Sequence, residues 1–145
     1  MKIIPYDEKY RDDMIFMILS AKDALGRVPG LNADLLDIRK NYFDKGDMFW
    51  LAVDDDDRVI GSVGYSSEAG TDDVTLHRLY IKPSMKRQGI GTALLRVAEE
   101  HIKRAGKYAI YVNLGSPKEQ WFESYSFYPK HGYTEVAPGR MMKKL

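Results

Sequence analysis

The sequence predicts a single mixed α/β domain over residues 1–145. Three observations support this fold class. The length of 145 residues suits one domain with one hydrophobic core. Short apolar and β-branched runs alternate with segments in which apolar residues recur every three or four positions, as expected for strands and amphipathic helices. The resulting order is one strand, two helices, three strands, a helix, a strand, a helix and two further strands, and no internal repeat or linker divides it.

The N-terminal half predicts one strand, two helices and a strand hairpin. Side chains that accept hydrogen bonds precede both helices, and glycines follow them, which is typical of helix starts and stops. The predicted elements are a strand at Ile3–Ile4, a helix capped by Asp7, a break over Gly26–Gly30, a helix capped by Asn32 and closed by Gly46, and strands at Phe49–Val53 and Val59–Tyr65.

The acidic run Asp54–Asp57 joins the two strands of this hairpin. It could form either a cation site or a solvated turn. Consecutive aspartates favour turns, and a calcium ion needs about six to eight oxygen ligands, more than one short loop offers. We therefore predict a hairpin turn and no metal site.

The C-terminal half predicts four strands and two helices. The first of these helices is strongly amphipathic, and Gly106 provides its stop signal. Its predicted apolar face consists of Ile90, Ala93, Leu94, Val97, Ala98, Ile102 and Ala105. The other predicted elements are strands at Val74–Ile81 and Tyr108–Leu114, a short helix near Trp121–Tyr128, and strands near Tyr133–Val136 and Arg140–Lys144.

A basic, glycine-containing turn opens the amphipathic helix. The first turn of a helix has amide groups without partners and carries about +0.5 of a charge from the helix dipole. Gly89 and Gly91 let an anion approach the backbone, and Lys86 and Arg87 add positive charge. The pattern favours a pyrophosphate site, although two glycines can also serve only to turn the chain. It matches neither a P-loop nor a dinucleotide fingerprint, because Leu94 stands where the latter needs a small residue.

Two segments resemble motifs of the GCN5-related N-acetyltransferase (GNAT) superfamily. The family's Gln/Arg-x-x-Gly-x-Gly/Ala signature, preceded by a strand ending in Leu-x-Val-x-Pro, corresponds to Lys86–Gly91 after Leu79–Pro83. Its Phe/Leu-Tyr-x-Lys-x-Gly-Phe block corresponds to Phe127–Tyr133. Lys86 departs from the usual Gln or Arg, but it keeps the positive charge.

The resemblance implies a fold, an activity and a co-substrate. The implied fold is a mixed, mostly antiparallel sheet of about six or seven strands, with splayed central strands and about four flanking helices. The implied activity is that of an acyltransferase, which transfers an acetyl group from acetyl-CoA to a primary amine of a small molecule or peptide. The implied cofactor-binding residues are Leu79, Tyr80, Ile81, Lys86, Arg87, Gln88, Gly89, Ile90, Gly91 and Thr92.

The resemblance also suggests catalytic residues. In the family, the tyrosine that Tyr128 matches faces the thioester sulfur, and a phenol can protonate a leaving thiolate. Many members place a glutamate where this chain has Thr75. His77 follows on the same side of the strand and is our candidate base, although it could simply pack at the edge of the cleft. Glu68 and two loop aspartates, Asp72 and Asp73, are the alternatives.

Composition excludes several other classes of function. A formal net charge of +1 argues against a nucleic-acid surface, and the absence of cysteine excludes disulfides, thiolate nucleophiles and zinc–sulfur sites. No apolar run has the length of a signal peptide or a membrane span, so we expect a cytoplasmic protein without a membrane partner. Homodimers are common in the family. Two rival functions stay open: an acyl-CoA-binding sensor that has lost catalysis, and a nucleotide-binding domain that uses the same glycine turn.

Overall fold

The computed structural model describes residues 1–145 as a seven-stranded sheet with helices on both faces. The strand order is β1-β2-β3-β4-β5-β7-β6, and every neighbouring pair is antiparallel except β4 and β5. The strands are β1 (Lys2–Pro5), β2 (Phe49–Val53), β3 (Val59–Ser67), β4 (Asp73–Ile81), β5 (Ala109–Asn113), β6 (Thr134–Ala137) and β7 (Arg140–Lys144). The α-helices are α1 (Arg11–Ala24), α2 (Ile38–Asn41), α3 (Ile90–Arg104) and α4 (Phe122–Lys130). The predicted mixed, mostly antiparallel sheet with four helices is confirmed.

The sheet separates two apolar clusters. One lies beneath α3 and includes Leu94, Ala98 and Ile102 of that helix together with residues of β2 to β5. The other lies beneath α1 and includes Met14 and Ile18. In α3 the predicted face is largely buried, but Leu95 is buried in addition and Ala105 is exposed beyond the helix end. Burial on both faces fixes the position of β4, which contributes residues to both parts of the candidate site.

Strands β4 and β5 separate in the middle of the sheet, as the resemblance predicts. Their parallel pairing covers only three positions and ends where Thr75 lies opposite Tyr111. The rest of β4 stays paired with β3 on its other edge. The amides and carbonyls on the open edge therefore lack a neighbouring strand, and this leaves a gap in the sheet.

A bulge at Arg78 changes which side chains of β4 face each side of the sheet. Arg78 has a φ of 58°, and the pairing with β3 shifts beside it. Val74 and Leu76 belong to the cluster beneath α3, and after the bulge Leu79 again packs against that cluster while Tyr80 packs against the opposite one. Strict alternation would have reversed the last two assignments. The bulge thus turns Leu79 toward α3 and Tyr80 toward α1.

The prediction of a continuous second helix in the N-terminal half is wrong. The segment forms a 3-10 turn at Ala33–Leu36, the four-residue α2, and another 3-10 turn at Phe43–Lys45. The break lies at Asp37, whose extended backbone lets its side chain accept a hydrogen bond from the Lys40 amide at 3.0 Å. Asn32 does not cap the segment; its side-chain oxygen accepts a hydrogen bond from Lys22 instead.

Other local predictions are confirmed. Asp7 is an N-cap, although the element that it caps is a 3-10 turn directly before α1. The acidic run forms a turn in which the Asp54 carboxylate accepts hydrogen bonds from the amides of Asp56 and Arg58, at 2.9 and 3.0 Å.

No helix in the structure has both the length and the apolar character needed to cross a lipid bilayer.

Candidate active site

The turn before α3 presents a row of amides without acceptors. Arg87 and Gly89 have left-handed backbone conformations, with φ of 63° and 79°. None of the amides from Arg87 to Thr92 donates a hydrogen bond within the protein, and Ala93 is the first that does, to the Gly89 carbonyl at 3.0 Å. A Cβ on Gly89 would have no atom within 4 Å, so the space above this backbone is open. The turn therefore fits an anionic group such as a pyrophosphate.

The amides face a groove of about 590 Å³ between the start of α3 and helix α4. Eight of the ten predicted cofactor-binding residues line it, namely Leu79, Ile81, Lys86, Arg87, Gly89, Ile90, Gly91 and Thr92. Tyr80 and Gln88 do not. Tyr80 faces the other side of the sheet because of the β4 bulge, and the Gln88 side chain is exposed. The groove is within the size range of small-molecule sites, about 300–1,000 Å³.

A salt bridge crosses the groove. The Lys86 ammonium lies 2.6 Å from the Glu123 carboxylate of α4. Lys86 is therefore not an unpaired cation, and its charge is partly neutralised by a residue that the sequence motifs do not contain. Arg87 and Lys130 also line the groove, and neither has a carboxylate partner within 4 Å.

Tyr128 lies at the inner end of this groove. Its side chain is 5 % exposed, and its ring makes edge contacts with Phe127 and Tyr133 at centroid distances of 5.2 and 5.3 Å. The hydroxyl makes no hydrogen bond within the protein, and burial raises the pKa of the phenol above its usual value. Tyr128 therefore stays protonated at neutral pH and can donate a hydrogen bond into the groove.

A second cavity of about 130 Å³ lies on the other side of Tyr128. It shares Leu79, Glu123, Ser124 and Tyr128 with the groove. It is otherwise lined by the open part of β4, the end of β5, Trp121 and the segment after α1. The two spaces thus meet at one phenol, as required of a site in which two substrates react with each other.

Comparison with known proteins identifies the family. A sequence model of the Acetyltransferase (GNAT) family matches residues 16–133, most of the chain. The chain belongs to the GNAT family. It is 31 % identical, over 93 residues, to the probable N-acetyltransferase 14 of Xenopus tropicalis, and the match covers 64 % of this chain. It spans only 43 % of the length of that curated relative.

Solved structures of GNAT proteins share the fold at low sequence identity. A GNAT-family acetyltransferase from Staphylococcus aureus Mu50 has 22 % identity and a TM-score of 0.88, with 99 % of this chain and 98 % of that chain covered. The PaiA N-acetyltransferase of Thermoplasma acidophilum, crystallised with coenzyme A, has 20 % identity and a TM-score of 0.75, with both chains fully covered.

His77, the predicted GNAT base, lines the second cavity and not the groove. Its Nε2 lies 2.7 Å from the Ser66 hydroxyl oxygen. Its ring packs against that of Tyr42 in an edge arrangement, with the two ring centroids 6.5 Å apart. Burial, and then the neighbouring Arg78 guanidinium, hold the pKa of His77 below its usual value. The imidazole is therefore neutral at physiological pH and has one nitrogen that can accept a proton.

Thr75 occupies the position where many GNAT proteins have a glutamate, yet a glutamate lies beside it. The Thr75 hydroxyl donates a hydrogen bond to the carboxylate of Glu68, from the loop between β3 and β4. Glu68 does not line the second cavity, and neither does Asp72, which directly precedes β4, nor Asp73, which begins β4 where the strand still pairs with β5. Of these four candidate bases, only His77 lines the second cavity.

Several residues of the site are not part of any sequence motif. Helix α4 contributes Phe122, Glu123, Ser124 and Ser126 to the groove, and the segment after α1 contributes Arg27 to the second cavity. Trp121 also lines the second cavity. The available signal was the nearness of these α4 residues to the Phe127–Tyr133 block. Nothing local in the sequence indicates Arg27.

Proposed function

We propose that this protein is an acetyl-CoA-dependent N-acetyltransferase, and that residues 1–145 form the single domain that transfers the acetyl group directly to a primary amine of a small molecule or peptide. The observation that carries the proposal is the position of Tyr128. It lies between a groove with partnerless amides and a separate cavity large enough only for a small acceptor or the end of a larger one.

The groove fits the co-substrate at both of its ends. The amides from Arg87 to Thr92 bind the pyrophosphate, assisted by Arg87 and by Lys86 once it exchanges Glu123 for a phosphate. The amide of Lys82 donates to Ile60 on β3. By alternation, Leu79 and Ile81 therefore point their backbone groups to the open edge of β4, where an amide-containing pantetheine arm pairs with them as a strand would.

The chain has to manage two protons during the reaction. An amine resembling that of lysine has a pKa of ~10.4, so only about one molecule in a few thousand is a free nucleophile at neutral pH. His77, directly or through water, accepts the proton that the ammonium must lose. The amine nitrogen then forms a bond to the acetyl carbon, the bond from that carbon to sulfur breaks, and the nitrogen releases its second proton to water, which leaves a neutral amide. Tyr128 donates a hydrogen bond or a proton to the departing thiolate.

The contact with Ser66 decides which nitrogen of His77 can act as base. Nε2 either donates to the Ser66 oxygen, which leaves Nδ1 as the acceptor, or receives the Ser66 proton. Only the first arrangement leaves a nitrogen of His77 that can accept a proton from a group other than Ser66. In the second, the substrate amine passes its proton to the Ser66 hydroxyl, and the serine passes its own proton to Nε2 of the imidazole, in a two-step relay.

Calorimetric titration with acetyl-CoA, coenzyme A, ATP and NAD tests the co-substrate. We expect micromolar binding of the two CoA species and no comparable binding of the nucleotides. Stronger binding of ATP or NAD would favour a nucleotide-binding domain and refute the proposal. A subsequent acetyl-transfer screen of amines, followed through release of the CoA thiol, separates an enzyme from an acyl-CoA sensor, because a sensor binds acetyl-CoA without turnover.

A further inference from the structure

We propose that the acceptor of this enzyme is a small primary amine that also carries a carboxylate, and that Arg27 binds that carboxylate. This inference rests on the proposed acetyltransferase function and specifies its substrate class. It comes from the charges around the second cavity, from how each charged side chain is paired, and from the presence of both Arg27 and Tyr128 in the lining of that cavity.

Arg27 is held in place without a carboxylate partner. Its guanidinium carbon lies 3.5 Å from the centre of the Trp121 ring, and its Nε donates a hydrogen bond to the Gln120 carbonyl at 3.1 Å. No acidic side chain lies within 4 Å of the guanidinium, whose polar neighbours are the Gln120 carbonyl and the Tyr80 hydroxyl. Stacking and the Nε bond therefore orient the two terminal nitrogens as a pair of donors, which matches the geometry of a carboxylate.

Positive charge predominates around this cavity. Two nearby carboxylates have a basic partner: Asp34 lies 2.9 Å from Arg78, and Glu123 lies 2.6 Å from Lys86. Two others near His77, Glu68 and Asp47, accept hydrogen bonds from Thr75 and Ser67 and do not line the cavity. Burial, and then the positive charges of Arg78 and Arg27, lower the pKa of the buried Lys22. Its ammonium donates hydrogen bonds to the Gly30 carbonyl and to the side chain of Asn32 rather than to a carboxylate.

An acceptor must fit this charge distribution. A polycationic amine such as a polyamine or an aminoglycoside would bring further positive charge to a cavity whose one lining carboxylate, Glu123, is already paired with Lys86. An amine that carries a carboxylate instead supplies the charge that Arg27 lacks. Arg27 and Trp121 line this cavity together with His77 and Tyr128. A molecule with its carboxylate on Arg27 can therefore extend its amine toward the reacting groups.

The size of the cavity limits the acceptor further. Its volume of about 130 Å³ is well below the ~300 Å³ at which sites for drug-sized ligands begin. A compact molecule in which the amine and the carboxylate are only a few bonds apart fits such a space. Free amino acids have this chemistry, and a folded protein surface does not enter.

Binding can be measured without turnover. The probes are the amino acids found in proteins, each compared with its own carboxamide, and spermidine as a polycation, all titrated into the protein saturated with coenzyme A. For the amino acid that binds best, we expect a Kd about ten- to a hundredfold lower than that of its carboxamide, the usual range for a charged hydrogen-bonded pair. Equal binding of acid and amide, or tighter binding of spermidine than of every amino acid, would overturn the assignment.

Variants of Arg27 locate the effect. Arg27→Met keeps an apolar stem over Trp121 and should abolish the preference for the acid, and Arg27→Lys, which keeps charge but loses the paired donors, should retain part of it. Arg104→Gln, on the exposed end of α3, is the control and should change nothing. An unchanged acid preference in Arg27→Met refutes the role of Arg27, provided that the variant still binds coenzyme A, which shows that it is folded. Absence of acetyl transfer despite selective acid binding would refute the proposed function and not this assignment.

Discussion

Replacing Gly89 with aspartate should weaken acetyl-CoA binding much more than replacing it with asparagine. The two side chains are nearly equal in size, and both tolerate the left-handed backbone that Gly89 adopts at a φ of 79° better than most residues do. A Cβ at this position meets no atom within 4 Å. The two variants should therefore have similar stability and differ only in charge.

The size of the effect follows from Coulomb's law. For a carboxylate about 6 Å from a phosphate, the repulsion is about 0.7 kcal/mol per charge pair in bulk water and about 3 kcal/mol at an effective dielectric constant of 20. A pyrophosphate brings about two such pairs, and physiological salt screens roughly half of the repulsion. The expected difference between the variants is about 0.7–3 kcal/mol, or about three- to a hundredfold in Kd.

Calorimetric titration of acetyl-CoA into the two variants measures this difference directly. Thermal unfolding provides the control, because similar melting temperatures would show that backbone strain does not separate them. The difference in Kd should shrink as the salt concentration rises. Equal affinities of the aspartate and asparagine variants at low salt would mean that the pyrophosphate does not bind at this turn.

Three further outcomes are expected. Tyr128→Phe should lower kcat by about a hundredfold, the usual contribution of a general acid, and leave the Kd for acetyl-CoA unchanged; an unaffected kcat would remove the phenol from the mechanism. Because the pKa of His77 is lowered, the acid limb of kcat/KM should lie below pH 6.5, and His77→Gln should abolish it; persistence of the limb would exclude His77 as base. Asp13 accepts hydrogen bonds from the Arg58 guanidinium at 2.8 Å and from the Val59 amide at 2.7 Å, contacts that, with Arg58 first, hold its pKa below the usual value. Its ionised form thus stabilises the fold above about pH 4, and this stabilisation is lost as pH falls further. Asp13→Asn should therefore lower the free energy of unfolding by about 1 kcal/mol at pH 7 and have little effect near pH 3. Urea unfolding at both pH values measures the difference.

The predictions that the structure confirms concern local features. The amphipathic pattern of α3 and its stop at Gly106 depend on residues within a few turns of one another. The same is true of the turn at Asp54–Asp57, in which neighbouring side chains and amides satisfy each other. Such features are encoded in short stretches of sequence, since the hydrogen bonds that stabilise them close within four residues.

The broken segment after α1 shows where local reasoning fails. Leu35, Ile38 and Tyr42 have helical spacing, yet no continuous helix contains all three of them. All three are buried beneath α1, and Asp34 turns to pair with Arg78 of β4. Contacts with a strand more than forty residues away outweigh the helical preference of this segment.

The sequence by itself determined the fold class, and it predicted the glycine turn as an anion site and Tyr128 as a catalytic residue, because each depends on a motif or a period carried by neighbouring residues. Only the tertiary structure decided the composition of the second cavity. The stacking of Arg27 on Trp121 and the pairing of Lys86 with Glu123 each join segments that are distant in the chain. No local pattern encodes such contacts, because the separation of β4 from β5 and the packing of α4 across the gap bring these side chains together.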